Sequence, residues 1–239
     1  MHAVPVEPGE YTCVLSPTVA GVLAHESFGH KSESDFMLGS ETMRREWELG
    51  KQVGWEGLSI LDSGVPNGSG YCPYDEGTRA RDTYLVKNGV LTGRLHSAAT
   101  AAALDEAVTG NARAISFEFE PIVRMTSTWI AGGTDTFESL LRGAEGGLYI
   151  PDFFHGSGMS TFTIAPARAY RIRGGKPAEP VLVSVISGNV MQTLHQIDGA
   201  TAETELHSLF TGGCGKMEQW PLRVAFGGPY LRVRGLKAQ

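Results

Sequence analysis

Apolar and polar residues alternate from Tyr11 to Leu15, and the apolar positions then shift to Val19, Val22 and Leu23. A period of two giving way to one near 3.6 predicts a strand that runs into a helix. Ser16-Pro17 stands at the join, a capping hydroxyl followed by the residue best suited to the first helical position. A second helix is expected over Ser40–Leu49, stopped by Gly50, with Glu41/Arg45 and Arg44/Glu48 spaced as solvated ion pairs. Trp55 to Arg81 is loop-rich apart from a short strand near Leu58–Leu61. Tyr84-Leu85-Val86 and Val90-Leu91 flank Asn88-Gly89, a strong hairpin signal. An alanine-rich helix is predicted from Ser97 to Val108. Strands follow at Ile115–Phe119 and Ile122–Ile130, separated by Pro121. Asp135-x-x-Glu138 has the form of a capping box for a helix through Leu141.

Beyond Gly147 the pattern is mostly of strands: Thr161–Ile164, Ala169–Arg173, Val181–Ile186, Leu222–Phe226 and Tyr230–Val233, with a short helix near Asn189–Ile197. There is no internal repeat, low-complexity tract or linker. The expectation is one α+β domain over residues 1–239, mostly antiparallel strands, with a helix near the N-terminus that carries the candidate chemistry.

Composition narrows the picture. Glycine is over-represented at 31 of 239 residues against the usual ~7%, which suits a turn-rich, strand-rich fold. Net charge is −6 and no run of Lys or Arg exceeds two residues, so nucleic acid, which requires a basic face, is not the expected partner. No apolar stretch approaches the ~20 residues that cross a bilayer, and the first eleven residues lack the basic-then-apolar pattern of a secretory leader. Three scattered cysteines, Cys13, Cys72 and Cys214, do not make a disulfide framework. The cytoplasm is the expected compartment.

The chemistry concentrates in His25-Glu26-Ser27-Phe28-Gly29-His30, toward the end of the first predicted helix. Neutral imidazole binds zinc well, and a carboxylate beside the metal can serve as general base. In the familiar zincin pattern the histidines are four apart. Five apart, a straight helix sets them roughly 140° from one another, too divergent for one ion. Either the pairing is accidental or an inserted residue bulges the helix into a π-turn and restores a common face, a distortion that Gly29 would ease. A third ligand must come from elsewhere. Thr211-Gly212-Gly213-Cys214-Gly215-Lys216 offers a cysteine between glycines, with a neighbouring lysine to favour the thiolate. Cys214 reads equally well as a small buried hydrophobe.

Five ordered blocks resemble the TldD/PmbA (TldE) metalloprotease family, in its C-terminal catalytic region and on its TldD side. They are HESFGHKSESDF from His25, DEGTRARDTYLVKNGVLTGRLHS from Asp75, TGNAR from Thr109, RMTSTW from Arg124 and GGCGKMEQ from Gly212. The resemblance implies that His25, His30 and Cys214 bind one divalent metal, zinc before iron, and that Glu26 is the catalytic carboxylate. It implies a metallopeptidase acting on short or unfolded peptides, and a homodimer or a heterodimer with a TldE/PmbA-like paralogue. The alternative is a non-catalytic partner or regulatory module, of the gyrase-modulator type, keeping a vestigial metal site. Family members carry a further N-terminal domain, expected to be absent here. Lys31, Glu218 and the stretch Phe153–Gly158 depart from the family pattern.

Around this core, Glu33 reads either as a carboxylate that orients a ligating histidine or, as glutamates more often are, as a solvated surface residue. His96 is a candidate oxyanion or substrate contact, or a structural histidine satisfied by its neighbours. Arg124 is a candidate anchor for a peptide carbonyl or carboxylate, or equally a brace for a strand. Tyr170, Trp129 and Trp220 read as core or interface aromatics, and a peptide is expected to bind as an added strand along a sheet edge.

Overall fold

The computed structural model describes residues 3–209 and 212–239; Thr211, which opens the cysteine block, lies outside them, as do Met1 and His2. The predicted first strand runs from Gly9 to Leu15 and passes directly into a helix over Pro17–Leu23. Ser16 caps that helix, its Oγ accepting from the Val19 N–H at 3.3 Å. Pro17, Val19, Ala20, Gly21, Val22 and Leu23 are all buried, as an all-apolar helix must be. The chain then widens into a π-helical turn over Ala24–Gly29, closed by the His30 N–H donating to the His25 carbonyl.

Two sheets enclose this helix. In the larger, five strands close into a small barrel: Gly9–Leu15, Leu231–Ala238, Ile186–Asn189, Thr161–Arg173 and Leu148–Gly158, the last pairing back to the first. Closure leaves these strands few free edges. Lys176–Leu182 and Val4–Pro5 extend the sheet on one side, and Ile197–Ala200 adds to Leu231–Ala238. The second sheet runs in the order Glu205–Ser208, Ala225–Gly228, Ser127–Ile130, Ile60–Asp62, Thr83–Lys87, Val90–Leu91. Among the described residues three of the strand-to-strand pairings are parallel and the rest antiparallel. The fold is α+β and mostly strand, as the alternation of apolar positions implied.

The first helix packs on both sheets, touching Ala225–Gly228, Ser127–Ile130 and Leu148–Gly158. Two glycines permit that approach. A Cβ at Gly21 would lie 2.5 Å from the backbone nitrogen of Gly227, and one at Gly29 would collide with the Met125 sulfur. Both sit in a close-packed interior where a methyl group cannot be absorbed.

Several elements differ from the pattern-based reading. The second helix spans only Glu41–Glu46, because Trp47 turns inward, fully buried, with its indole N–H on the Gly93 carbonyl at 3.0 Å. The alanine-rich helix stops at Leu104, where Asp105 adopts a left-handed conformation. Ile115–Phe119 is not a strand; Phe117 is almost wholly exposed. Thr136, not Asp135, caps the helix Phe137–Arg142 through Ser139, while Asp135 accepts from the Ala200 N–H. The segments Thr161–Ile164 and Ala169–Arg173 are one strand. Leu148–Gly158, which bears a central role below, is a strand that alternation did not reveal, since glycines and adjacent aromatics interrupt its period.

Candidate metal centre

The π-turn decides the spacing question. With the extra residue in the turn, the rings of His25 and His30 share a face, their centroids 5.1 Å apart. The third donor comes from the far end of the chain. Cys214 opens a hairpin of Cys214–Lys216 and Gln219–Leu222 that lays its Sγ 3.3 Å from His30 Nε2. The donor atoms of His25, His30 and Cys214 all lie within 4.8 Å of one another, and all three residues are buried. Zinc bound tetrahedrally by nitrogen and sulfur separates its donors by roughly 3.5 Å, so a small inward movement of these side chains would bring the three onto a single ion. His25 Nδ1 is buried with no hydrogen-bond partner among the described residues, a group that a cation or solvent has to satisfy. Glu26 stands beside the cluster with its Oε2 3.9 Å from His30 Nε2, its side chain partly exposed.

Behind His30 the support is polar and dry. His30 Nδ1 meets Glu33 Oε2 at 3.2 Å, and Glu33 is completely buried. A carboxylate there fixes the ring proton on Nδ1 and turns Nε2 toward the cluster. Burial opposes the charge on Glu33, but His30 and then Lys216 outweigh it and hold the carboxyl below its ordinary range. Burial likewise pushes the Cys214 thiol up, yet the charge and hydrogen bonds of His25 and then His30 bring it from 9.0 down to about 5. Burial opposes the imidazolium forms too, and is outweighed by Cys214 at His25 and by Glu33 at His30, so both are raised. A lowered thiol beside raised imidazoles favours the thiolate–imidazolium form, the form in which such sites trade protons for a metal when one binds. The expectation that Lys216 favours the thiolate is corrected here: its Nζ faces Glu33 and Asp35 instead.

Two cavities meet at Glu26 and Cys214. One, of 420 Å³, reaches Phe36, Ser157, Met159 and Lys216. The other, of 370 Å³, is walled by Phe153, Phe154 and Phe226. Gly156, Gly213 and Trp220 border both, so the pair forms a groove across the cluster. The strand Leu148–Gly158 supplies one bank. Beyond Ile150 its residues pair only with Thr161–Arg173 among the described residues, and a Cβ at Gly158 would lie 2.5 Å from the Glu26 carbonyl.

Residues 8–239 match the model of the PmbA/TldA metallopeptidase C-terminal domain. The chain belongs to this PmbA/TldD metallopeptidase family. It is 40% identical over 232 residues to a metalloprotease of Synechocystis sp., covering 96% of this chain and 50% of that protein. It is 32% identical over 234 residues to a zinc metalloprotease TldD homolog of Saccharolobus solfataricus, covering 96% and 51%. TldE from Thermococcus kodakarensis has the same fold, with a TM-score of 0.79 at 17% identity over 99% of this chain and 52% of that one. A putative modulator of a DNA gyrase from Thermotoga maritima superposes with a TM-score of 0.75 at 22% identity, covering 99% and 51%. The chain thus spans about half the length of the relatives it matches.

The family's C-terminal domain here brings His25, Glu26, His30, Glu33 and Cys214 together. Arg124 lies behind them. It is wholly buried, with Nη2 donating to the Cys214 carbonyl at 2.7 Å and Nη1 to the Gln219 carbonyl at 3.3 Å. Of its two roles read from sequence, this geometry serves the brace. His96 is not part of the cluster: its Nε2 contacts Glu106 at 3.0 Å and its Nδ1 contacts Thr100 at 3.2 Å. Lys31, one of the departures, is buried and paired with Glu46 and Ser160, tying the helix end to the turn after Gly158. Trp220, read as core or interface, is 63% exposed and lines the groove. Lys216 and the edge strand carried no sequence signal beyond proximity to a cysteine and a run of glycine. Among the described residues no helix is long and apolar enough to cross a membrane.

Proposed function

We propose that this domain is the catalytic part of a zinc peptidase, with His25, His30 and Cys214 as the metal ligands and Glu26 as the general base. The observation that carries the reading is the π-turn, which turns two histidines five residues apart toward a cysteine from a distant hairpin, beside a free carboxylate. A divalent cation held there supplies Lewis-acid polarisation of a peptide carbonyl and of water; the thiolate donor favours zinc, with iron the alternative. Glu26 accepts the proton of the attacking water at a carboxylate oxygen and passes it to the departing amine. Glu33 holds the proton on His30 Nδ1 throughout, and Arg124 fixes the Cys214 carbonyl. The free side of Asp152–Gly158 receives the substrate as an added strand, which selects extended peptides over folded proteins because main-chain bonds need an unpaired chain. The domain works as a dimer, with a second copy or with a TldE/PmbA-like paralogue, in a reducing compartment that leaves its three cysteines free.

The test is zinc content and peptide cleavage measured together. The parent is expected to hold about one zinc per chain, lost in Cys214→Ala. Glu26→Gln should keep the zinc and lose cleavage of an unstructured peptide by at least ~100-fold. Cleavage at the parental rate in Glu26→Gln refutes the mechanism. A folded parent that holds no zinc leaves the non-catalytic partner module as the better reading.

A further inference from the structure

Lys216 is an unusual residue to find in a protein interior. Its side chain is about 2% exposed, and its ammonium contacts two carboxylates: both oxygens of Asp35 at 2.7 Å and Glu33 Oε2 at 3.1 Å. A third acceptor, the Val123 carbonyl, lies at 2.8 Å, and the Phe36 ring centroid is 4.2 Å away. All three protons of the ammonium therefore have acceptors. A lysine desolvated this thoroughly persists only where its partners are fixed around it.

What makes the position informative is where those partners lead. Lys216 sits on the hairpin that presents Cys214, two residues away. Glu33 and Asp35 follow the helix that presents His25 and His30, and Glu33 Oε2 is the atom that meets His30 Nδ1. The other oxygen of Glu33, Oε1, is buried without a hydrogen-bond partner among the described residues, so among them His30 and Lys216 are what orients this carboxylate. The hairpin and the helix end are far apart in the chain, and Lys216 joins them at the point where their donors converge.

We infer that Lys216 is a positioning residue of the metal centre: by bridging Glu33 and Asp35 it locks His30 and Cys214 in one relative orientation. This rests on His25, His30 and Cys214 being a metal site. Without the ammonium, Glu33 is free to turn, His30 loses its fixed tautomer, and the hairpin loses its hold on the helix end. Partners behind a metal-ligating histidine are worth on the order of 10–100-fold in affinity, and Lys216 acts on two ligands.

The experiment is Lys216→Met, which keeps length and apolar volume while removing the charge. Zinc affinity is read by competition with a chromophoric chelator, and cobalt substitution reads the thiolate-to-metal absorption band. The expected result is a folded protein, by circular dichroism, with zinc affinity lowered at least ~10-fold and the cobalt band weakened or shifted. A lysine that only stabilises the fold would lower the melting temperature and leave both readouts of the folded protein unchanged; that result overturns the inference. Should Lys216→Met not fold, Glu33→Gln takes its place: it keeps the size and one acceptor oxygen, removes the charge that Lys216 holds, and is expected to lower affinity and alter the band in the same sense. Parental values in that variant also overturn the inference. A parent that takes up no zinc overturns the metal centre itself, so the two failures are distinct.

Discussion

Gly21→Ala tests whether the first helix is held against the second sheet by backbone contact. At Gly21 an added Cβ meets Gly227 N at 2.5 Å, Gly227 Cα at 2.7 Å and the Phe226 carbonyl carbon at 2.9 Å. All three are backbone atoms of a strand paired on both sides, so no side chain can swing away. To reach an ordinary contact of 3.4 Å the helix and strand must part by about 0.9 Å. Overpacking a close-packed site costs about 1–3 kcal/mol, and the upper half of that range applies where only backbone can yield. The helical preference of alanine over glycine returns up to ~1 kcal/mol. The net cost is about 1–2 kcal/mol, which for a chain of this size lowers the melting temperature by roughly 2–8 °C. Thermal unfolding followed by circular dichroism measures it, with Gly39→Ala as the reference. Gly39 has open space around it and an ordinary backbone conformation, so its variant should melt within ~1 °C of the parent. The shift should also reach the site, because the π-turn continues the same helix while Cys214 stands on a separate hairpin. A Gly21→Ala protein melting at or above the parent would refute the reasoning.

Further expectations concern charge in the interior. In the metal-free protein, iodoacetamide should modify Cys214 at near-neutral pH at a rate that falls only as pH drops through about 5, since the thiolate is the nucleophile. Cys13, with its thiol pushed up to about 12 by burial, should stay silent, and zinc should protect Cys214; a rate for Cys214 that inflects near 9 would contradict this assignment. The sign for stability follows the same group. A depressed folded-state value means that the thiolate adds stability above the unfolded thiol's value near 9, lost progressively as pH falls toward 5. The raised imidazoles His25 and His30 work in the opposite sense, adding stability below 6.5 that is lost as pH rises through their folded-state values. Asp62 is fully buried and accepts from the Thr126 N–H, the Thr126 and Thr128 hydroxyls and the Asn111 amide at 2.6–3.1 Å. Asp62→Ala strands those donors and should cost at least ~2 kcal/mol in urea unfolding. A loss under ~0.5 kcal/mol would mean that the carboxylate's own burial cost cancels its bonds.

How much of this was written locally is clearest at the first helix. Ser16-Pro17, the apolar run and the His-Glu-x-x-x-His spacing lie within fifteen consecutive residues, and each acts over one or two helical turns. The strand, the cap and the helix follow from them, and so does the condition that the two histidines can share a face only if the turn takes an added residue. The same holds for Asn88-Gly89, whose left-handed backbone makes the predicted hairpin, and for the helix that Asn189 caps. Where neighbours in the fold compete with local preference, the sequence misleads. Trp47 ends a helix because it packs into the core, and the alanine-rich helix stops short of Ala107 because Asp105 is left-handed.

The site divides along the same line. Two of the candidate donors and the proposed base were legible because they share a turn. The third donor is 184 residues from His30, and its chemistry alone left Cys214 as apt for a buried hydrophobe as for a ligand. Only the folding of two sheets around one helix brings the cysteine hairpin to the π-turn, sets Lys216 between Glu33 and Asp35, turns Arg124 onto a carbonyl, and lays Asp152–Gly158, unpaired on one side among the described residues, beside Glu26. Local sequence fixes which groups a turn can present, because backbone geometry is short-ranged. It does not fix which distant groups they meet, because that depends on the packing of the whole chain.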